Sequence, residues 1–424
     1  MIATLPMHPE HDLLTGELHA RPALPLTTPV AISRIASVID AGADRRQAVE
    51  HLASLCRRYG MTPPALDADF VLADFGRFSL RYERHTEFDG WTFFCHPSSI
   101  APFDEIAIKN VPTDWLTALP GKVLVASHIA VIRTQGEGES PPSGCFVTEN
   151  LTGADLFAGA ATCWTDFRPG PDGFSRLLLQ DHGMSAPLTG RLAQVLWEIE
   201  TYRMLALLAL PTARVVSTEL GRASERLAAI AARLPELTDL DQERAALAEL
   251  TDLATDIEQQ AAATADRFSA APAYHALIGQ RLQVLREQRL RGLPTLSEYL
   301  ERRLDPAIAT VESARMRIAA LSTRCGRALE LLRARVAVTQ EAQTQKLLAA
   351  MAETGRAQLR MQETVEGLSV AAISYYVLSL LGYALRPLPD QAWISNDLLL
   401  ALLIPAVAVL VWIRMRRRRI RPMI

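Results

Sequence analysis

The densest gathering of reactive side chains in this sequence is RYERHTE, Arg81–Glu87. Read as a strand, alternation places Arg81, Glu83, His85 and Glu87 on one face. Two carboxylates and an imidazole at that spacing suit a divalent ion, and the same charges also suit an exposed salt-bridge ladder. Both readings stay open. Glu17, His19 and Arg21 alternate in the same way near the N-terminus. Should the two runs meet, His19, Arg21, Arg84, His85 and Glu87 would form a candidate ion or ligand site. The other histidines, among them His51, His128, His182 and His275, stand singly, without zinc-type spacing. There is no GxSxG, no phosphate-binding loop and no GxGxxG. No catalytic residue is assigned, no cofactor is implied and the identity of any metal is open, so the expectation is a protein that is not an enzyme.

The elements that must position this cluster fall in the first 185 residues. Val30–Ile39, Phe78–Tyr82, Trp91–Cys95, Val123–Ile132 and Phe174–Leu179 read as strands, with Asp44–Tyr59 and Thr113–Leu119 as helices. In Phe78–Tyr82, Phe, Leu and Tyr alternate with Ser and Arg, the pattern of a half-buried strand. Asp166–Arg168, followed by PGPDG, reads as a turn with Asp at its entry. The expectation is an α+β chain whose N-terminal α/β domain, residues 1–185, carries a mixed sheet.

After Pro187 the composition shifts to Ala, Leu, Arg and Glu. Helices are expected over Leu188–Leu210, Thr212–Leu234, Glu236–Ser269 and Ala273–Arg291, forming a coiled-coil-like region over 186–305. Thr295 and Glu298 stand at capping-box spacing, opening a short helix that closes at Asp305. Asp305-Pro306 then reads as a second helix start. The next proline is Pro387, so one helix is expected over 306–386, roughly 120 Å long at about 1.5 Å per residue. Its seam is apolar through Val311, Ala314, Ile318, Leu321, Cys325, Leu329, Leu332 and Val336. Farther on the seam turns polar, through Thr339, Gln343 and Met361.

Net charge is −3, which gives no general pull toward nucleic acid. Five scattered cysteines without a CxxC suit a reducing compartment. The N-terminus has neither the cationic nor the apolar segment of a signal peptide. Gly367–Leu385 and Leu398–Ile413 are apolar enough to expect two membrane spans, flanked by Trp393 and Trp412. Six arginines between Arg414 and Arg421 place the tail in the cytoplasm, and a two-span hairpin, 387–424 completing it, returns the N-terminal domain there. Within the first span Ser369, Tyr376, Ser379 and Tyr383 share one face. Together with Thr339, Gln343 and Met361 they are the candidate pore-lining or helix-interface residues. The partners expected are membrane lipids and further copies of the chain, in a homo-oligomer that could be a pentamer.

Several runs resemble a family. They are GELHARP (Gly16–Pro22), ERHTEF (Glu83–Phe88), TDFR (Thr165–Arg168), EIETYRML (Glu198–Leu205), QETVEGLS (Gln362–Ser369) and AISYY (Ala372–Tyr376). Spread over nearly the whole chain, they are similar to a bacterial family of membrane-anchored proteins known only as domain-of-unknown-function family 3422. That resemblance implies a protein of the bacterial inner membrane and no activity. The order of parts is also similar to CorA-type magnesium transporters, pentamers whose first spans line the pore. Their Gly-Met-Asn signature is absent here, where the sequence reads LGYALR, Leu381–Arg386. The functional expectation is an oligomeric ion transporter with a cytosolic sensing domain; the alternative is a membrane-anchored scaffold or signalling protein.

Overall fold

Strand β4, Phe88–Cys95, is buried along its whole length, and the sheet is built outward from that part of the chain. The computed structural model describes residues 8–11, 14–15, 22–39, 44–99, 101–133, 141, 144–385, 401 and 404–413. They form an α+β protein. Nine strands make one mixed sheet in the order β2-β3-β4-β1-β5-β8-β7-β6-β9. Their ranges are β1 Val30–Val38, β2 Phe70–Asp74, β3 Ser79–Arg84, β5 Lys122–Arg133, β6 Thr152–Leu156, β7 Ala161–Pro169, β8 Ser175–Asp181 and β9 Gln288–Arg289. Only β5 and β8 pair in parallel; every other pairing is antiparallel.

Helix α1, Arg46–Arg58, covers one face of the sheet. Its apolar residues Val49, Leu52, Ala53 and Cys56 recur at the spacing of a helical stripe, and all are buried. They pack with Ile35, Leu80, Tyr82, Trp91 and Phe93 from alternate positions of the strands, and with Trp115 of the short helix α2, Thr113–Thr117. Each large side chain sealed there contributes about 1.5–3 kcal/mol. Strand β3 is not half-buried as its alternation suggests. Arg81, on the other side from Leu80 and Tyr82, is also wholly buried, because α3 (Ala186–Leu207) covers the second face.

TDFR ends a strand rather than opening a free turn. Asp166 accepts the backbone N–H groups of Arg168 and Val147 at 3.0 Å each. Phe167 adopts a φ of 54° where the register between β7 and β8 shifts. Asp at that point satisfies the amides that the broken ladder leaves open.

The helical region consists of α4, Leu210–Arg233, α5, Leu240–Leu285, and α6, Leu296–Leu385, after α3. Three helix limits differ from the sequence expectation: the helix expected to reach Arg291 ends at Leu285, and Gln288–Arg289 is instead strand β9, paired with β6. α5 runs through Pro272 without the break expected before Ala273, and α6 begins at Leu296 and passes through Pro306. In both places packing outweighs the lost N–H bond: Phe268, Ala271, Ile278, Leu304, Ile308 and Val311 are buried on either side. The capping box forms as expected, with Glu298 N–H on Thr295 Oγ1 at 3.2 Å and Thr295 N–H on Glu298 Oε2 at 3.1 Å. It opens α6 itself. Asp305, expected as a cap, instead holds His275 Nε2 at 2.8 Å.

The chain divides into two compact units, Met1–Pro235 with Ala248–Ala328, and Glu236–Leu247 with Leu329–Ile424. In the first, the apolar seam of α6 is buried at Val311, Ala314, Ile318, Leu321 and Cys325. In the second, Leu240 and Leu332 are buried, and Arg335 Nε donates to the buried Glu243 at 2.7 Å. Beyond Arg335 the side chains of α6 are largely exposed, Met361 to 71% and Tyr376 to 68%.

Among the described residues, Ala186–Glu236 is long and apolar enough to cross a membrane by length and composition. Its α3 portion is a core helix, with Leu192, Leu196, Ile199 and Leu205 buried. Gly367–Leu385 forms the end of α6, and Ile404–Ile413 is a short apolar helix. The connecting loop and the arginine cluster at 414–421 lie outside the described residues.

Candidate functional site

The sheet face under α3 is polar, which is unusual for a surface so fully enclosed. Arg34 on β1 stands opposite Thr92 on β4 and Ser127 on β5, and Arg81 on β3 flanks Thr92 from the other side. The adjacent row is Ala36, Gly90 and Glu83. Arg34, Arg81, Glu83, Thr92 and Ser127 are all at least 97% buried.

Burial on this scale requires pairing, and the pairing is close. Glu83 receives Arg34 Nη1 at 2.9 Å on one oxygen and Arg81 Nη2 at 2.6 Å on the other. Arg34 Nη1 also donates to Thr92 Oγ1 at 2.6 Å, and Arg81 Nη1 to the Pro22 carbonyl at 2.9 Å. Both guanidinium groups lie over the Trp197 ring, 6.0 and 5.7 Å from its centroid. Burial pushes the Glu83 carboxyl up, but the Arg34 and Arg81 charges overcome it and hold the group at about 2. Gly90 provides the room: a Cβ there would stand 2.4 Å from Arg34 Nη2.

Beside this triad a cleft of about 260 Å³ opens, lined by Arg34, Glu83, His85, Phe88, Gln194, Trp197, Glu198, Thr201, Tyr202 and Arg281. α3 supplies the row from Gln194 to Tyr202, at the spacing of one helical face, and α5 supplies Arg281. Gln194 Nε2 donates to Glu198 Oε1 at 2.9 Å, and Arg281 Nε donates to Glu198 Oε2. Burial, with the Glu198 charge behind it, raises the Tyr202 phenol. Two of the family-like runs, 83–88 and 198–205, supply six of the ten lining residues, though they are over a hundred residues apart.

The sequence-derived cluster is divided. His85 lines the cleft and stacks on Phe88 with ring centroids 4.2 Å apart. Arg84 turns to the other side of β3, within 3.3 Å of Asp69. Glu87 sits at the strand end, holding Arg267 Nη1 at 3.2 Å and the Tyr274 hydroxyl at 3.0 Å. His19 and Arg21 lie outside the described residues. The even-spaced charges Arg81 and Glu83 do pair, but as a buried triad with Arg34 rather than an exposed ladder. Sequence reading passed over Arg34, Trp197, Tyr202 and Arg281. The one local signal was an arginine inside the apolar strand VAISRIASV. Among the described residues, no group of three His, Cys, Asp or Glu side chains could hold a metal ion.

A second polar chain joins Ser33, His128 and Asp172. Ser33 Oγ lies 2.9 Å from His128 Nδ1, and His128 Nε2 lies 3.6 Å from Asp172 Oδ2. It has the order of a nucleophilic triad, but Ser33 and His128 are 0% and 1% exposed, so neither offers a substrate an approach.

No curated protein matches the chain. Among solved structures, that of the full-length CmaX protein aligns with 16% identity over 72% of this chain and 91% of the other, at a TM-score of 0.15. A superposition that poor supports no inference about fold or role. Over residues 6–421 the chain matches the family described as "Protein of unknown function (DUF3422)", and it belongs to that family.

Proposed function

We propose that this chain is a membrane-anchored, self-associating protein whose N-terminal α+β unit acts as a cytoplasmic sensing module rather than an enzyme. The observation that carries this is the end of α6. From Gly367 to Leu385 it contains no charged residue, yet Leu368, Tyr375, Leu380 and Tyr383 are 68–74% exposed. Apolar surface of that extent in water is costly, and nineteen uncharged helical residues approach the length of a bilayer crossing. The apolar helix Ile404–Ile413, followed in sequence by the arginines at 414–421, agrees with a second crossing that ends in the cytoplasm.

Self-association follows from the two sides of the same helix. Ser374 is buried on one side, beside the half-buried Val370, Val377 and Leu378. Ser369, Tyr376, Ser379 and Tyr383 lie on the opposite side, where Ser369 and Ser379 are half-buried and Tyr376 and Tyr383 exposed. A Ser/Tyr stripe gains more from another helix than from lipid tails. The exposed Gln343 and Met361, with Thr339, continue the stripe toward the N-terminal end of α6. A ring of such helices would line a polar path, so ion conduction by a CorA-like oligomer is the second reading. A tether with no transport activity is its alternative.

The test is fractionation of cells expressing the full chain and a 1–365 truncation. The full chain should resist alkaline carbonate extraction and the truncation should be soluble. Full-length protein released by carbonate would refute anchoring. Tyr376→Cys and Met361→Cys should each cross-link between copies in the membrane; monomers only would refute self-association. Ion flux in proteoliposomes then separates conduction from tethering.

A further inference from the structure

We propose that the cleft between the sheet, α3 and α5 is a binding site for a small organic monocarboxylate. This goes beyond the membrane reading and does not depend on it. The acceptors of the cleft are already committed: both oxygens of Glu83 and both of Glu198 receive protein donors. The donors are not. Arg34 uses Nη1 for both of its side-chain bonds, and its Nε is buried without a partner among the described residues. Arg281 gives Nε to Glu198 and also bonds Tyr202, yet its guanidinium stays partly exposed at the cleft mouth, where an entering anion can share it.

Charge decides the class. Arg34 and Arg281 at the cleft, with Arg81 behind Glu83, face Glu83 and Glu198, leaving one unbalanced positive charge beside a half-open cleft. A monocarboxylate neutralises it, and a guanidinium binds a carboxylate as a two-point fork. A doubly charged phosphate would leave an uncompensated negative charge, and a cation would be repelled by the guanidinium groups that already hold both glutamates. Size and walls narrow the class further. About 260 Å³ is at or below the lower end of ligand pockets, too small for a nucleotide, and Trp197, Phe88 and Tyr202 offer apolar surface to a short alkyl or aromatic group.

The experiment titrates the full chain in detergent with benzoate, butyrate, benzamide and inorganic phosphate, reading Tm and tryptophan fluorescence. Benzoate or butyrate should raise Tm in a concentration-dependent way, while benzamide, its shape kept and its charge removed, should bind at least tenfold more weakly. The double variant Arg281→Gln/Glu198→Gln removes both charges of one pair and so strands neither in the cleft. It should keep its unliganded Tm within a few degrees and weaken benzoate at least tenfold. Equal response to benzamide, a stronger response to phosphate, or no response to either carboxylate overturns the proposal. So does a double variant that folds and binds benzoate unchanged. Fractionation plays no part in this readout, so failure here and failure of membrane anchoring are separate results.

Discussion

Replacing Glu83 by glutamine should destabilise the α+β unit more than any other single polar change on the sheet. The side chain keeps its volume but loses the charge that two buried guanidinium groups share. Holding the carboxyl at about 2 rather than its ordinary 4.5 is worth about 3 kcal/mol at neutral pH, at about 1.4 kcal/mol per tenfold. Loss of one partner from a buried ion pair typically costs about 3–5 kcal/mol, because the remaining charge stays in a poor solvent. The two routes agree. In a unit of roughly 300 residues that is a fall in Tm of about 5–8 °C, measurable by tryptophan fluorescence because Trp197 stacks on both arginines. The sign with pH is fixed too. The stabilisation is complete above pH 4.5 and is lost as pH falls from there toward 2, so E83Q should flatten that acid limb. Replacing the whole triad by Arg34→Met, Arg81→Met and Glu83→Leu should cost less than E83Q alone, since no charge is then stranded. A fall below about 1 kcal/mol for E83Q, or a larger loss for the triple variant, would refute the account of the triad.

Two further outcomes follow from neighbouring residues. Gly90→Ala drives a Cβ into the Arg34 guanidinium and should cost about 1–3 kcal/mol by urea or thermal unfolding, with weakened Arg34–Glu83 pairing. His128 is held down at about 4 by burial, against the pull of Asp172, so its contribution is complete above pH 6.5 and disappears as pH falls toward 4. His128→Asn should lower stability at neutral pH yet remove most of the pH dependence in that window, seen in Tm against pH.

Much of the local structure was legible because its causes are local. Alternating β-branched and aromatic residues marked β1, β3, β4, β5 and β8. The Thr295–Glu298 capping box was read from spacing alone, because its bonds close within three residues. β2, β6 and β7 carried weaker patterns and were missed, and β9 fell inside a run expected as helix. Pro272 and Pro306 read as breaks because the sequence shows the lost N–H and not the packing that compensates for it.

The site was legible only in part. From sequence alone came the even spacing of Arg81, Glu83, His85 and Glu87; Arg84, grouped there with His85 and Glu87, turns to the other side of β3 in the fold. What the sequence could not decide was depth. Whether Arg81 and Glu83 form a solvated ladder or a buried triad depends on α3, which arrives more than a hundred residues later, and on Arg34 from β1. The fold alone also set Trp197 over the guanidinium groups and brought Arg281 to the mouth of the cleft. A charge is written in the chain, but its dielectric surroundings and its partner come from residues distant in sequence, and these determine whether it is a surface ornament or a binding group.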